Sequence, residues 1–155
     1  MSVRAAVAGD AAALSAIHAA SFREGWTQAD FETWLARAEA IWVVAEEAGE
    51  VVSFGLALAA GSDAELLTIA SVPALRSRGL GRQIMRGLDD EAGRRGLQRW
   101  ILEVARNNLS AIGLYSSEGF VEIAVRKTYY QAETGRIDAL VMTRPVSPQG
   151  GQGRA

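Results

Sequence analysis

Apolar positions along the chain follow two periods, and their alternation with turn residues divides it into seven candidate strands and four candidate helices. Residues 3–7 form a short strand. Asp10 is placed to cap a helix running to about Phe22, with Leu14, Ile17 and Ala20–Ser21 on one face. A loop with Gly25 follows, and Thr27 caps a second helix over 28–38, striped by Phe31, Trp34 and Leu35. Residues 41–45 and 51–59 are β-rich and flank the turn signal Glu46-Glu47-Ala48-Gly49-Glu50, an antiparallel hairpin. After the turn at 61–63 comes a strand over 66–72, ended by Pro73, which cannot donate a ladder hydrogen bond.

A helix from about Gly81 to Gly93 carries Ile84, Met85, Leu88 and Ala92 on its buried stripe. Arg82, Arg86, Asp89 and Asp90 are expected to be wetter, and Gly93 and Gly96 to mark its end. Residues 99–105 are a strand. Asn107 or Asn108 caps a short helix over 109–117, closed by Gly119. Strands over 120–130 and 137–143 flank a turn at 133–135. The pattern predicts one mixed sheet-and-helix domain over 1–145, of the α/β (α+β) class, with a disordered tail over 146–155.

Composition narrows the chemistry. The 155 residues are 49% hydrophobic, enough for a real core in one domain. There is no cysteine, which excludes a disulfide scaffold, a thiolate metal site and a cysteine nucleophile. The single histidine, His18, leaves no histidine cluster for a metal and reads as a surface or satisfied helix residue. No apolar run is long enough to span a membrane, and Met1-Ser2-Val3-Arg4 lacks a signal-peptide layout, so a cytoplasmic location is the default expectation. Net charge is −2, unevenly spread: residues 1–66 hold three Arg and ten Asp or Glu, while residues 67–155 hold thirteen Arg or Lys and eight Asp or Glu. The acidic half could attract a cationic substrate. No basic stripe with interleaved aromatics points to nucleic acid.

The basic half contains Arg76-Ser77-Arg78-Gly79-Leu80-Gly81-Arg82 between a strand and a helix. A helix start leaves backbone N–H groups unpaired and carries partial positive charge, so it suits an anion. Gly79 and Gly81 remove side chains where phosphates could approach the main chain, and Arg76, Arg78 and Arg82 add mobile positive charge. A tight turn with solvated arginines would show the same residues. The P-loop pattern is absent, since Lys127-Thr128 follows Val125-Arg126, and the dinucleotide fingerprint lacks its third glycine.

Two residues further on carry candidate chemistry. Glu103 lies inside Trp100-Ile101-Leu102-Glu103-Val104-Ala105, with Ile101 and Ala105 on its face. A carboxylate partly desolvated there is a better base; one that turns to water is an ordinary edge-strand residue. Tyr115 shares a helix stripe with Asn108 and Ile112, where it can offer its O–H or serve as an amphipathic core residue.

R-x-x-G-x-G between strand and helix resembles the acetyl-CoA loop of the GNAT N-acetyltransferase superfamily. The resemblance continues through Leu102-Glu103-Val104, Asn108, residues 111–115, Glu118-Gly119-Phe120, Arg126, Tyr129-Tyr130 and Asp138-Ala139, and is closest to the RimI type, which acetylates the N-terminal alanine of a small-subunit ribosomal protein. It implies a central mixed, mostly antiparallel sheet of six to seven strands flanked by about four helices. It implies acetyl-CoA as co-substrate, no metal, and a protein or peptide N-terminus as partner, with no direct role for nucleic acid or membrane.

By residue, it implies that Arg76 to Arg82 hold the pyrophosphate, and that the main chain of Ile69, Ala70 and Ser71 pairs with the pantetheine arm, with N–H groups there meeting the oxyanion. Asn108 would bond the cofactor, Glu103 would act as base and Tyr115 as acid. Trp26 and Tyr129 would meet the acceptor, although both could be packed aromatics. Two positions depart from the pattern: Gly25 stands where proline is usual before Trp26, and Ser71-Val72 stands where Val-Asp is usual before Pro73. A GNAT protein acting on a small amine, or an acyl-CoA-binding module without turnover, are the other readings.

Overall fold

The computed structural model describes residues 1–21, 26–76, 78–132 and 135–148; at 21, 128–132, 135 and 136 it describes the backbone alone. Chain order is β1 (Ser2–Ala5), α1 (Ala11–Ser21), α2 (Gln28–Leu35), β2 (Ala40–Glu47), β3 (Glu50–Ala60), β4 (Asp63–Ser71), α3 (Leu80–Arg94), β5 (Arg99–Ala105), α4 (Leu109–Ser117), β6 (Val121–Ala132) and β7 (Gly135–Pro145), with 3₁₀ turns at Ala8–Asp10 and Pro73–Leu75. The seven strands form one sheet in the order β1-β2-β3-β4-β5-β7-β6. Every neighbouring pair is antiparallel except β4 and β5. A parallel pair needs a crossover, and α3 supplies it.

The sheet is covered on both faces over its β2–β4 strands. Ile41, Val43, Ala57, Leu66, Trp100 and Leu102 pack with Ile84, Met85 and Leu88 of α3. Trp42, Val44, Phe54 and Leu56 face the other way, onto Leu14 and Ile17 of α1 and Phe31 of α2. Strands buried on both faces read as unbroken apolar runs, which is why β2 and β3 show no polar alternation over their central residues. The helix α3 lies so close to β3 that a Cβ on Gly55 would stand 2.5 Å from Ile84 Cγ2 and 2.8 Å from Leu88 Cδ1.

The feature that positions the site is the parting of β4 from β5. Their pairing runs from Asp63↔Arg99 to Leu66↔Leu102 and goes no further. At the same place the β3–β4 register skips Leu67, a bulge that bends β4. Val72 N–H donates to Val52 C=O at 2.9 Å. Alternation along an antiparallel ladder then turns the main-chain groups of Ile69 and Ser71 away from β3, toward the gap.

Several sequence expectations need correction. Asp10 does not cap α1: it ends the 3₁₀ turn, accepts the Val7 N–H at 2.8 Å and pairs with Arg4 at 2.9 Å. Phe120 is buried ahead of β6 instead of beginning it. The helix α3 runs through Gly93, and Gly96, at φ +76°, makes the turn after it. Val146 and Ser147, expected in the tail, hydrogen-bond to Gln98 C=O and to Asp89 at 2.9 and 3.1 Å. The turn residues Glu133 and Thr134 and residues 149–155 lie outside the described residues.

Asp89 is the largest departure. It is 7% exposed, not wet. Its carboxylate accepts from Trp100 Nε1 at 2.8 Å and from the Ser147 N–H, and pairs with Arg144 at 2.6 Å. Position 89 borders the buried stripe of α3, and the cation that makes its burial tolerable comes from β7, far away in sequence. Burial pushes its pKa up, but the Ser147 and Trp100 hydrogen bonds and the Arg144 charge outweigh that and hold it below the usual carboxylate range. A depressed folded-state pKa stabilises the fold above the unfolded value, near 4, and that contribution is lost as pH falls through the folded value. Asp89→Asn should therefore cost about 3 kcal/mol in urea unfolding at pH 7, as breaking one half of a buried pair does. It should also flatten the loss of stability below pH 4; an unchanged acid slope would show that Asp89 is not the group being titrated.

Candidate active site

An open groove of about 920 Å³ runs between the free end of β4, the loop into α3, the end of β5 and one face of α4. Ligand clefts for cofactor-sized molecules are typically of this order. One wall is the open side of β4, with Thr68, Ile69, Ala70 and Ser71; the opposite wall is Glu103 to Ala105 with Asn108, Ala111, Leu114 and Tyr115. The floor at one end is Arg76, Gly79, Leu80, Gly81 and Arg82.

Each wall is built by local chemistry. Gly79 is the N-cap of α3 at φ +82°, a left-handed conformation, and a Cβ there would meet nothing within 4 Å. The first turn of α3 contains no acidic residue, so its unpaired N–H groups keep their attraction for an anion. Gly81 serves packing: a Cβ would stand 3.0 Å from Leu114 Cδ2, so its absence lets α3 and α4 converge at the groove. Arg82, expected as mobile charge, donates to Ser117 Oγ at 3.1 Å and pairs with Glu118 at 3.5 Å, which ties α3 to the end of α4.

On β4, Ser71 Oγ lies 2.8 Å from Ser53 Oγ, and Ser53 Oγ lies 2.9 Å from the Ala70 carbonyl to which it donates. The unusual serine is thus engaged with β3, and the main chain of Ile69 and Ser71 is left to face the gap. Asn108 caps α4, its Oδ1 accepting the Ala111 N–H at 3.2 Å, so its amide nitrogen is the group that could donate to a cofactor. Tyr115 is 9% exposed, with its ring 5.7 Å from that of Phe120. Glu103 faces the groove with its side chain 26% exposed, and the Arg126 guanidinium donates to its Oε1 at 2.5 Å. To the apolar neighbours expected around Glu103 the structure adds one cation, Arg126.

The structure brings together on this groove Ile69, Ala70, Ser71, Arg76, Gly79, Leu80, Gly81, Arg82, Glu103, Asn108 and Tyr115. Arg78 is exposed and does not line it, and Ser77, Gly25 and the Tyr129 side chain lie outside the described residues. Trp26 is also elsewhere. It stacks on Trp34 at 5.5 Å and on His18 at 5.4 Å, in the aromatic cluster between α1 and α2. His18 is buried, accepts the Trp26 N–H at Nδ1, and is held below the usual histidine range by desolvation.

Sequence reasoning missed the Arg126–Glu103 pair. Its only signal was that Arg126 and Glu103 belong to strands two apart in the sheet, which becomes visible once β7 is known to lie between them. Among the described residues, no group of three or more His, Asp or Glu could hold a metal ion, and no helix is long and apolar enough to cross a membrane.

Comparison with known proteins agrees with this geometry. A family model described as the acetyltransferase (GNAT) family matches residues 11–120. The chain is 38% identical over 99 residues to the ribosomal protein bS18-alanine N-acetyltransferase of Escherichia coli (strain K12), covering 64% of this chain and 67% of that protein. It is 34% identical over 123 residues to the N-alpha-acetyltransferase RimI of Mycobacterium tuberculosis, covering 77% of this chain and 75% of that one. The crystal structure of the ribosomal-protein-S18-alanine N-acetyltransferase from Escherichia coli superposes with a TM-score of 0.85 at 28% identity, over 99% of both chains. A phosphinothricin acetyltransferase from Sinorhizobium meliloti, solved in complex with AcCoA, shares the fold at a TM-score of 0.82 and 21% identity, over 99% of this chain and 92% of that one. With a glycine-capped helix start beside a parted sheet and a family match over most of its length, the chain belongs to the acetyltransferase (GNAT) family.

Proposed function

We propose that this chain acetylates the N-terminal amine of a protein, with the N-terminal alanine of a small-subunit ribosomal protein as the acceptor, using acetyl-CoA as donor. The observation that carries the reading is the placement of Glu103 and Tyr115 on the same groove as the start of α3. The acceptor class rests on the named relatives and on the Arg126, Tyr129 and Asp138-Ala139 pattern.

Acetyl-CoA supplies an activated acyl carbon and a thiolate leaving group. The unpaired N–H groups at the start of α3 would hold its diphosphate, aided by Arg76. Ile69 and Ser71 would pair with its amide-bearing arm as an added strand, a mode in which main-chain bonds give the affinity. Asn108 would donate from its amide nitrogen. The acceptor α-amine, with a pKa of about 7.7–8.0, arrives largely as the ammonium at neutral pH and must lose a proton before it can attack. Glu103 would take that proton, directly or through water, as the N–C bond forms. Main-chain N–H groups facing the gap would stabilise the negative charge developing on the thioester oxygen. As the C–S bond breaks, the Tyr115 hydroxyl would give its proton to the departing sulfur.

Incubation with acetyl-CoA and an alanine-starting peptide, beside a panel of small primary amines, should release coenzyme A only with the peptide. Release with small amines alone would replace the acceptor class, and binding without release would remove the enzymatic reading. Glu103→Gln should lower kcat about 100-fold, within the range for a lost general base, with coenzyme A affinity unchanged; wild-type kcat would remove Glu103 from that role. Tyr115→Phe should slow the chemical step, and an unchanged step would remove the acid. Gly79→Ala should still fold, but the roughly 1–2 kcal/mol that a left-handed alanine costs favours a relaxed turn in the free protein, which coenzyme A must re-form, so binding should weaken up to about tenfold. Equal affinity by calorimetry would show that the Gly79 turn does not form the cradle.

A further inference from the structure

The Arg126–Glu103 pair calls for a reason beyond stability. Both side chains are accessible, Arg126 at 51% and Glu103 at 26%, and exposed ion pairs contribute little to folding. The geometry that makes the pair is nevertheless particular. Arg126 aligns with Ala139 of β7, and Ala139 aligns with Ala105 of β5, so the three form one row across the sheet. Glu103 is two residues before Ala105 and therefore on the same face. The Arg126 side chain must cross β7 to reach it, a span of two inter-strand spacings, roughly 10 Å. Ala139, fully buried and small, leaves that path open. Immediately after Arg126 the β6–β7 register shifts, an irregularity of the kind that re-aims side chains beside sites.

We infer that Arg126 is a positioning and selectivity residue: it occupies Glu103 until the acceptor's ammonium displaces it, so that the carboxylate passes from one cation to the other. The inference rests on Glu103 being the base. An incoming amine is cationic and competes with the guanidinium for the Oε1 that Arg126 holds, and the exposed pair is weak enough to exchange. Before exchange, Arg126 fixes the carboxylate in place; during exchange, it sets an affinity threshold that a poorly aligned amine does not pass.

The test is a KM-against-kcat split on whichever acceptor the wild type turns over, peptide or small amine. Arg126→Gln should lower the acceptor KM about threefold, the scale of an exposed ion pair. It should leave kcat near the wild-type value, because the guanidinium has already left the carboxylate in the acceptor-bound complex. Arg126→Lys, which keeps the charge and loses the planar fork, should stay close to the wild-type KM. In a Glu103→Gln background, calorimetry on the coenzyme A complex should find acceptor affinity indifferent to Arg126→Gln, because the two effects share one contact. An acceptor KM that is unchanged or raised in Arg126→Gln, or the same affinity change with and without Glu103, would overturn the inference. A wild type that turns over neither acceptor class would instead overturn the functional reading on which it stands.

Discussion

The structure depends on two parallel strands that stop pairing halfway. Up to Leu66 and Leu102, β4 and β5 share a ladder; beyond them, backbone groups of both strands are left without each other. Main-chain N–H and C=O groups in a fold's interior require partners. Here they face a groove, where water can serve them or an extended ligand with its own amides can take water's place. The same parting sets Glu103 and Tyr115 opposite the open edge of β4, because β5 leads within a few residues into the Asn108 cap of α4.

The rest of the fold keeps the gap from closing. The bulge at Leu67 redirects β4, and Pro73 follows directly on Val72 to stop it. The helix α3 is pressed onto β3 over Gly55, so its N-terminus cannot drift from the end of β4. Arg82 and Arg86 both reach Glu118, whose side chain is 8% exposed, and so tie α3 to the C-terminal end of α4. On the far side, Asp89 and Arg144 join α3 to β7 and to the segment at Ser147. Packing and ion pairs thereby hold the start of α3 beside the open strand edge and the end of α4.

Much of this was legible in the residues. The bounds of β5 and α4 follow from Gly96, the alternation of 99–105 and the Asn108 cap, all of them local signals. Gly79 was readable as a special turn because its chemistry is its own backbone. What could not be read was pairing at a distance. Asp89 looks like a solvated helix residue until β7 brings Arg144 to it, and Arg82 looks mobile until α4 brings Ser117. Asp10 looks like a cap until Arg4 folds back over it. The Glu103 environment was misjudged for the same reason: an apolar strand sequence predicts apolar neighbours, and the nearest charged group arrives from two strands away. The parting itself has no local signature beyond a strand that outruns its partner.

Amide hydrogen exchange at Ile69 and Ser71 and across Leu80 to Arg82, with and without coenzyme A, tests the claim most directly. If the open edge of β4 and the start of α3 together receive the ligand, both sets of amides should become protected on its addition, while amides already paired within the β2–β3 hairpin should not change. Exchange at both sets that is indifferent to saturating coenzyme A would contradict the account, and with it the assignment of this groove.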